Sequence, residues 1–451
     1  MGGGWGAASD IGAPQGAYGA AFRRSGRQSA DRLCLYSALP GLSQRLSPPA
    51  CYAPGPPRCP LSRHPFDRVE RLTLTADTLG PVSRGHPWVY AGGVVEKVPP
   101  PGTPVQLLDA KGRPAAFGLT DAGDVVVRVL GRHAEPIPAL IAARVASALA
   151  HRARVIPPET DAYRLLHGEG DGLPGVVVDR YGEVGVLRLY SGCWEPHLPA
   201  LIDALMAVPG MRSLLRRLGV RRVDGDSGAV MAAGAPAPER LVVQEYGLRF
   251  VVRPYTGQKT GLFLDQREHR RWIGGVSADA TVLNLFAYTG GFSVYAAALG
   301  AKRVVTVDIS APAIEDAREN FRLNGLDPAA HGFEVRDVFT ATKEALGGPF
   351  SVVVCDPPAL SHDKKADGNA RAGYRDLATL AGQLVAPDGL LATASCTARL
   401  SQDKWEEAVR EGLRKAGRWS WVWRAAEPPD HPVALDHIEG RYLKFAALRR
   451  R

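Results

Sequence analysis

Long hydrophobic runs are missing from this 451-residue chain. No stretch of about 18 or more apolar residues occurs, so no transmembrane helix is expected. The N-terminus also lacks the continuous apolar core of a signal peptide. Cysteine is scarce: Cys34, Cys51 and Cys59 fall near the N-terminus, and Cys193, Cys355 and Cys396 are widely separated. They show no paired-ligand spacing, so no metal site is expected, and a reducing cytoplasm fits best. Acidic residues are the minority, and the formal net charge is +9. Residues 1–65 carry seven arginines against two acids and supply +5 of that charge. Global charge is therefore a weak argument for a nucleic-acid partner, and any such case must rest on a site.

What is present is uneven. Residues 1–67 are rich in Gly, Ala, Pro, Ser and Arg without periodicity, and they read as a disordered tail. An arginine-rich start also suits an organellar transit peptide, or a start codon assigned too far upstream. Residues 68–145 begin with short apolar runs between turn signals ("RLTLTADT", "HPWVYAGGV", "DVVVRVLG"), the pattern of a small β-barrel or sandwich. A helix is expected from about 136 to 154, where Leu140, Ile141, Val145 and Leu149 recur at helical spacing. Residues 146–253 read as a central α/β unit with a hairpin turned at Tyr181–Gly182. From 254 to 451 strands alternate with helices, which predicts a parallel, doubly wound sheet of Rossmann-like type. The closing segments "WSWVWRAA" and "RYLKFAAL" are expected as antiparallel edge strands.

The cofactor reading starts at "VLNLFAYTGGF". Gly290 and Gly291 sit where a first strand turns into its helix, beside Tyr288. Glycine there lets backbone approach a ligand. The second strand ends in Asp308, 18 residues after Gly290 and placed to accept hydrogen bonds from a ribose; the alternative is a helix cap, for which Ser310 is better suited. The turn has no Gly-x-Gly-x-x-Gly to seat a pyrophosphate, which disfavours a dinucleotide. Asp337, ending the third strand, could meet an adenine amino group, and "CDPP" ends the fourth. Together these motifs look like a class I S-adenosylmethionine methyltransferase.

"TASCTARL" places Cys396 at the carboxyl end of the expected fifth strand, beside Asp356 of the fourth. A thiol and a carboxylate in one cleft suit methylation of cytosine carbon 5. That carbon is a poor nucleophile until a thiolate adds to carbon 6. Asp356 would stabilise the adduct at the ring. Cys355, inside the apolar strand, reads as core.

Residues from about 69 to 451, about 85% of the chain, resemble the bacterial 5-methylcytosine methyltransferases of large-subunit ribosomal RNA. The matching blocks are "RGHPWVYAGGV", "HGEGDGLPGVVVDRYG", "GQKTGLFLDQREHR", "NLFAYTGGFSVYAAALGAKRVVTVDIS", "DPPAL", "TASCTA" and "DHPV…EGRYLK". The resemblance implies an RNA-binding PUA-like barrel, a central α/β unit and a Rossmann-like methyltransferase domain. It implies Cys396 as nucleophile, and Lys259, Asp265, Gln266 and Arg267 near cofactor and active site. It also implies S-adenosylmethionine as cofactor, ribosomal RNA as partner and a cytoplasmic setting, and it allows a homodimer. Two departures flank the expected base pocket: Leu360 where the family commonly has an aromatic, and Ser-Cys-Thr-Ala where it often has Ser-Cys-Ser-Gly. Two other readings remain open at this point: a ribosomal RNA guanine N-methyltransferase of the same fold, and a non-catalytic assembly factor that binds the cofactor.

Overall fold

The computed structural model describes residues 69–219, 228–360 and 367–451. The chain divides into Met1–Leu61 and Ser62–Arg451, and every described residue belongs to the second unit. The expectation for the tail at 1–67 therefore lies outside the described residues.

The first layer contains β1 (Glu70–Thr73), helix α1 (Ala76–Arg84), β2 (Trp88–Tyr90), β3 (Pro104–Leu108), β4 (Pro114–Thr120) and β5 (Val125–Gly131). The strands pair in the order β1-β3-β4-β5-β2. An antiparallel bridge between Leu74 and Val94 joins the two edges, so the sheet closes into a small barrel. Helix α1 was not expected from "ADTLGPVSR", because Gly80 and Pro81 both disfavour a helix interior. Packing decides instead: Val82 is buried in the barrel core, and Gly85 closes the helix in the left-handed region at φ 115°.

Helix α2 (Ile137–Val155) follows as one continuous element. A boundary at 145 falls inside it, and its apolar face packs with the central sheet, so the whole helix goes with that layer. The central layer holds β6 (Ala162–His167), β7 (Val176–Tyr181), β8 (Val184–Leu189), α3 (Leu198–Met206), β9 (Ser213–Leu218) and β10 (Gly228–Gly234), in the order β10-β9-β8-β7-β6. Tyr181 lies opposite Val184, so the hairpin turns at Gly182–Glu183, one residue later than expected. A second hairpin, β11 (Leu241–Glu245) and β12 (Leu248–Val252), turns at Tyr246–Gly247 with positive φ at both residues. Asn320 and Asn324 tie that hairpin to the methyltransferase-like layer, donating to or accepting from its backbone.

The last layer begins with α4 (Arg267–Gly275). It continues through β13 (Thr281–Leu285), α5 (Gly291–Ala298), β14 (Arg303–Asp308), α6 (Ala311–Leu323), β15 (Gly332–Val335), α7 (Lys343–Leu346) and β16 (Phe350–Cys355). It ends with α8 (Asp367–Leu384), β17 (Val385–Ser395), α9 (Gln402–Leu413), β18 (Trp419–Ala425) and β19 (Lys444–Arg450). The sheet order is β15-β14-β13-β16-β17-β19-β18. Strands β13 to β17 are parallel, and β19 enters antiparallel between β17 and β18. Of the two closing strands only β18 is therefore an edge, which corrects the expectation that both would be. The order reverses between β13 and its neighbours β14 and β16, and such a switch point opens a crevice at the strands' carboxyl ends. The core on one face of this sheet runs on into Tyr181, Val184, Val186 and Leu215 of the central layer. Among the described residues, no helix is long and apolar enough to cross a membrane.

Candidate active site

The turn after β13 is conformationally costly. Phe286 and Tyr288 hold φ of 56° and 49°, where bulky side chains rarely sit. The backbone is fixed there by long-range bonds. Asp308 accepts from the Tyr288 amide at 2.8 Å and from the Ser310 amide at 2.9 Å, and Asn320 donates to the Thr289 carbonyl at 2.8 Å. Ser310 caps α6, so Asp308 is not its cap. Gly290 turns at φ 75°, and a Cβ on it would lie 2.9 Å from the Ala317 methyl. Its smallness therefore serves the close approach of α6; it does not line the cavity, whereas Gly291 does.

The cavity holds about 170 Å³ and opens at the carboxyl ends of β13, β14, β16 and β17. Lys259, Asp265, Gln266, Tyr288, Gly291, Asp308, Asp356 and Cys396 all line it. A larger recess of about 780 Å³ lies in the barrel beside α1, but neither Cys396 nor Asp356 borders it. Cys355 and Thr393 face each other across β16 and β17. Asp356 and Cys396 each follow just beyond that register and so meet in the cavity. Cys355 itself is buried in the core, as its apolar strand predicted.

Electrostatics separate the groups. Burial pushes the Asp356 carboxyl up to about 7, and the neighbouring Asp265 adds to this; Lys259, Arg270 and a 2.9 Å bond from Gln266 Nε2 oppose it. Burial also raises the Cys396 thiol, and the Lys259 ammonium is the main influence pulling it down. Asp265 is held well below the usual carboxylate range, despite burial, by Lys259, His431 and Tyr442. Its Oδ2 accepts from Lys259 Nζ at 3.0 Å and from Tyr442 Oη at 2.7 Å. Its Oδ1 and the Thr289 hydroxyl are buried with no hydrogen-bond partner among the described residues. A buried acceptor of that charge fits an ammonium group, and S-adenosylmethionine carries one.

Residues 195–445 match the S-adenosylmethionine-dependent methyltransferase family, more than half of the chain. The chain belongs to that family. Residues 72–132 match a PUA-like domain. The methyltransferase is 39% identical over 383 residues to the ribosomal RNA large subunit methyltransferase of Deinococcus radiodurans, covering 81% of this chain and 93% of that one. It is 35% identical to ribosomal RNA large subunit methyltransferase I of Tolumonas auensis, covering 81% and 96%. In fold it is similar to a solved S-adenosylmethionine-dependent methyltransferase from Streptococcus mutans, with TM-score 0.74 and 22% identity over 84% of this chain and all of that one. A methyltransferase complexed with SAH superposes with TM-score 0.75 and 22% identity over the same shares.

S-adenosylmethionine is the cofactor of this methyltransferase. Two expected cofactor residues lie elsewhere. Arg267 is fully buried and binds both oxygens of Asp430, at 3.0 and 2.8 Å. Its charge is consumed in holding α4 to the loop after β18, so it does not line the cavity. Asp337 is exposed and accepts from the Phe339 amide at 3.0 Å, capping a short turn outside the cavity. Two other residues come in unforeseen. Tyr442 reaches Asp265 from 177 residues away. Buried Lys444, on β19, donates to the carbonyls of Thr397 and Tyr442 at 2.9 and 2.8 Å and is lowered by burial to about 8. A lysine opening the apolar run "KFAAL" was its only trace in the sequence, within a block singled out by resemblance. Among the described residues no group of three or more His, Cys, Asp or Glu could hold a metal ion.

Proposed function

We propose that this methyltransferase modifies large-subunit ribosomal RNA at carbon 5 of a cytosine, with Cys396 as nucleophile. The observation that carries the reading is the meeting of Cys396 and Asp356 at the ends of adjacent strands in the cofactor cavity. The substrate class follows from the two ribosomal RNA large subunit methyltransferases to which the chain is similar over four fifths of its length.

Cys396, as thiolate, adds to carbon 6 and forms a carbon–sulfur bond, which places electron density on carbon 5. Lys259 favours that thiolate through its charge. Asp356, titrating near neutrality, can hold a proton and donate to the pyrimidine ring as its electrons shift. S-adenosylmethionine, when bound, would supply the electrophilic methyl group. Once carbon 5 is methylated, loss of its proton to a base expels the Cys396 thiolate.

RNA carrying 5-fluorocytosine at the target tests the reading, because fluorine cannot leave as a proton. Wild-type protein with S-adenosylmethionine should form a denaturation-resistant complex, linked through Cys396. Absence of the complex together with an active Cys396→Ala enzyme overturns the mechanism and favours methylation of a nitrogen.

A further inference from the structure

One row across the central sheet has no part in the cavity. His167 of β6 lies opposite Val177 of β7, and Val177 lies opposite Arg188 of β8. Strands β8 and β9 run parallel with Leu187 beside Arg216, so Arg188 lies beside Arg217. Side chains alternate along strands. Leu187 and Leu214 pack toward α2 and α3, while Val186 and Leu215 join the core shared with the methyltransferase layer. Arg188 and Arg217 therefore project side by side from the face turned toward the methyltransferase layer.

Two adjacent guanidinium groups repel unless something neutralises them. Among the described residues, neither has a carboxylate within ion-pair distance; Arg216, by contrast, pairs with Glu195. Arg217 spends its donors on neutral carbonyls, those of Tyr255 and, at 2.9 Å, Gly257. Its charge is left standing, and burial together with Arg188 lowers its pKa. Among the described residues the buried Arg188 Nε has no hydrogen-bond partner, and the guanidinium lies 5.0 Å from the centre of the Tyr190 ring, which is 48% exposed. The backbone that Arg217 holds leads directly into Gln258 and Lys259 on the cavity wall, where Tyr288 Oη accepts from the Gln258 amide at 3.0 Å.

We infer that Arg188 and Arg217 form a phosphate clamp for the RNA backbone just outside the target-base cavity, with Tyr190 as a stacking platform for a flanking base. The inference rests on the RNA reading above. An RNA strand supplies both needs of the site: a phosphate bridges two guanidiniums, and an unstacked base covers an exposed ring beside one of them. A clamp at this place would hold the nucleotide next to the target while the cytosine enters the cavity.

Arg188 makes the cleaner test, because Arg217 also secures a loop. In vitro transcribed large-subunit ribosomal RNA is titrated with wild-type protein, Arg188→Gln, Arg188→Glu and Arg188→Lys across a range of salt concentrations. Arg410→Gln, an exposed change on α9, serves as control. Arg188→Gln should weaken binding several-fold and reduce the slope of log affinity against log salt by about one, the share of a single phosphate contact. Arg188→Glu should weaken binding further, and Arg188→Lys should keep most of the slope. Melting temperature and S-adenosylmethionine affinity should stay at wild-type values in all four. The clamp is overturned if Arg188→Gln binds RNA with wild-type affinity and slope, or no more weakly than Arg410→Gln. In that outcome the RNA reading survives, since wild-type protein still binds. Failure of wild-type protein to bind this RNA sinks both readings.

Discussion

Replacing Asp356 by asparagine should stabilise the protein, and by an amount that depends on pH. The folded carboxyl titrates at about 7 against an ordinary value of 3.8, chiefly because it is buried, with Asp265 adding to the effect. A group raised in the folded state contributes stability that is fully present below about 4 and is lost as the pH rises through about 7. Above that the loss is constant. The gap between 3.8 and 7, at about 1.36 kcal/mol per pH unit, sets a ceiling of about 4 kcal/mol. Asp356 still meets solvent on the open side of the cavity, and screening there reduces the expectation to about 2 kcal/mol. Asparagine keeps an oxygen to accept the bond from Gln266 Nε2 and cannot ionise. Urea unfolding of both proteins without cofactor, at pH 4 and pH 8, measures the difference. The variant should gain about 2 kcal/mol on the wild type between those values. A stability difference that does not change with pH would refute the burial argument. The same substitution should remove any limb near pH 7 from the rate profile of methyl transfer.

Three further outcomes are expected. Asp308→Ala should weaken S-adenosylmethionine binding by about 1–3 kcal/mol in calorimetry, since it frees the Tyr288 amide and removes the proposed ribose acceptor; unchanged affinity rules out that role. Arg267→Leu should cost about 3–5 kcal/mol of folding stability by leaving buried Asp430 unpaired, and the surviving folded protein should bind cofactor normally. Cys355→Ala should keep methyl transfer within a few-fold of wild type at a stability cost of about 1 kcal/mol, because its thiol is enclosed in the core on the opposite side of the strand end from the cavity chemistry; loss of transfer in a well-folded Cys355→Ala protein would give that thiol a chemical role.

What the sequence determined by itself is whatever depends on local period and on chain order. Apolar strands alternating with helices from about 280 onward require a doubly wound parallel sheet, and that sheet brings the residues at its strand ends to one crevice. Tyr288, Asp308, Asp356 and Cys396 could be placed that way, because each lies within three residues of a strand's carboxyl end, and Gly291 because it opens the helix that follows β13. Helix α1 could not, since Gly80 and Pro81 argue against it locally and only burial of Val82 in the barrel overrules them. Nor could neighbouring charges on one segment be told apart. Asp265 and Gln266 face the cavity, while Arg267, one residue on, turns into a fully buried pair with Asp430. Asp337 ends its strand in the expected place, yet its carboxylate folds back onto its own turn. Tyr442 and Lys444 reach the site only because β19 inserts between β17 and β18, a pairing between segments about fifty residues apart that no local pattern encodes. The same holds for Arg188 and Arg217, which become neighbours through the parallel pairing of β8 and β9 across helix α3. Period and propensity are properties of adjacent residues. Which charges are neutralised, and which are left facing a cavity or a surface, depends on partners that only the folded chain brings within a few ångströms.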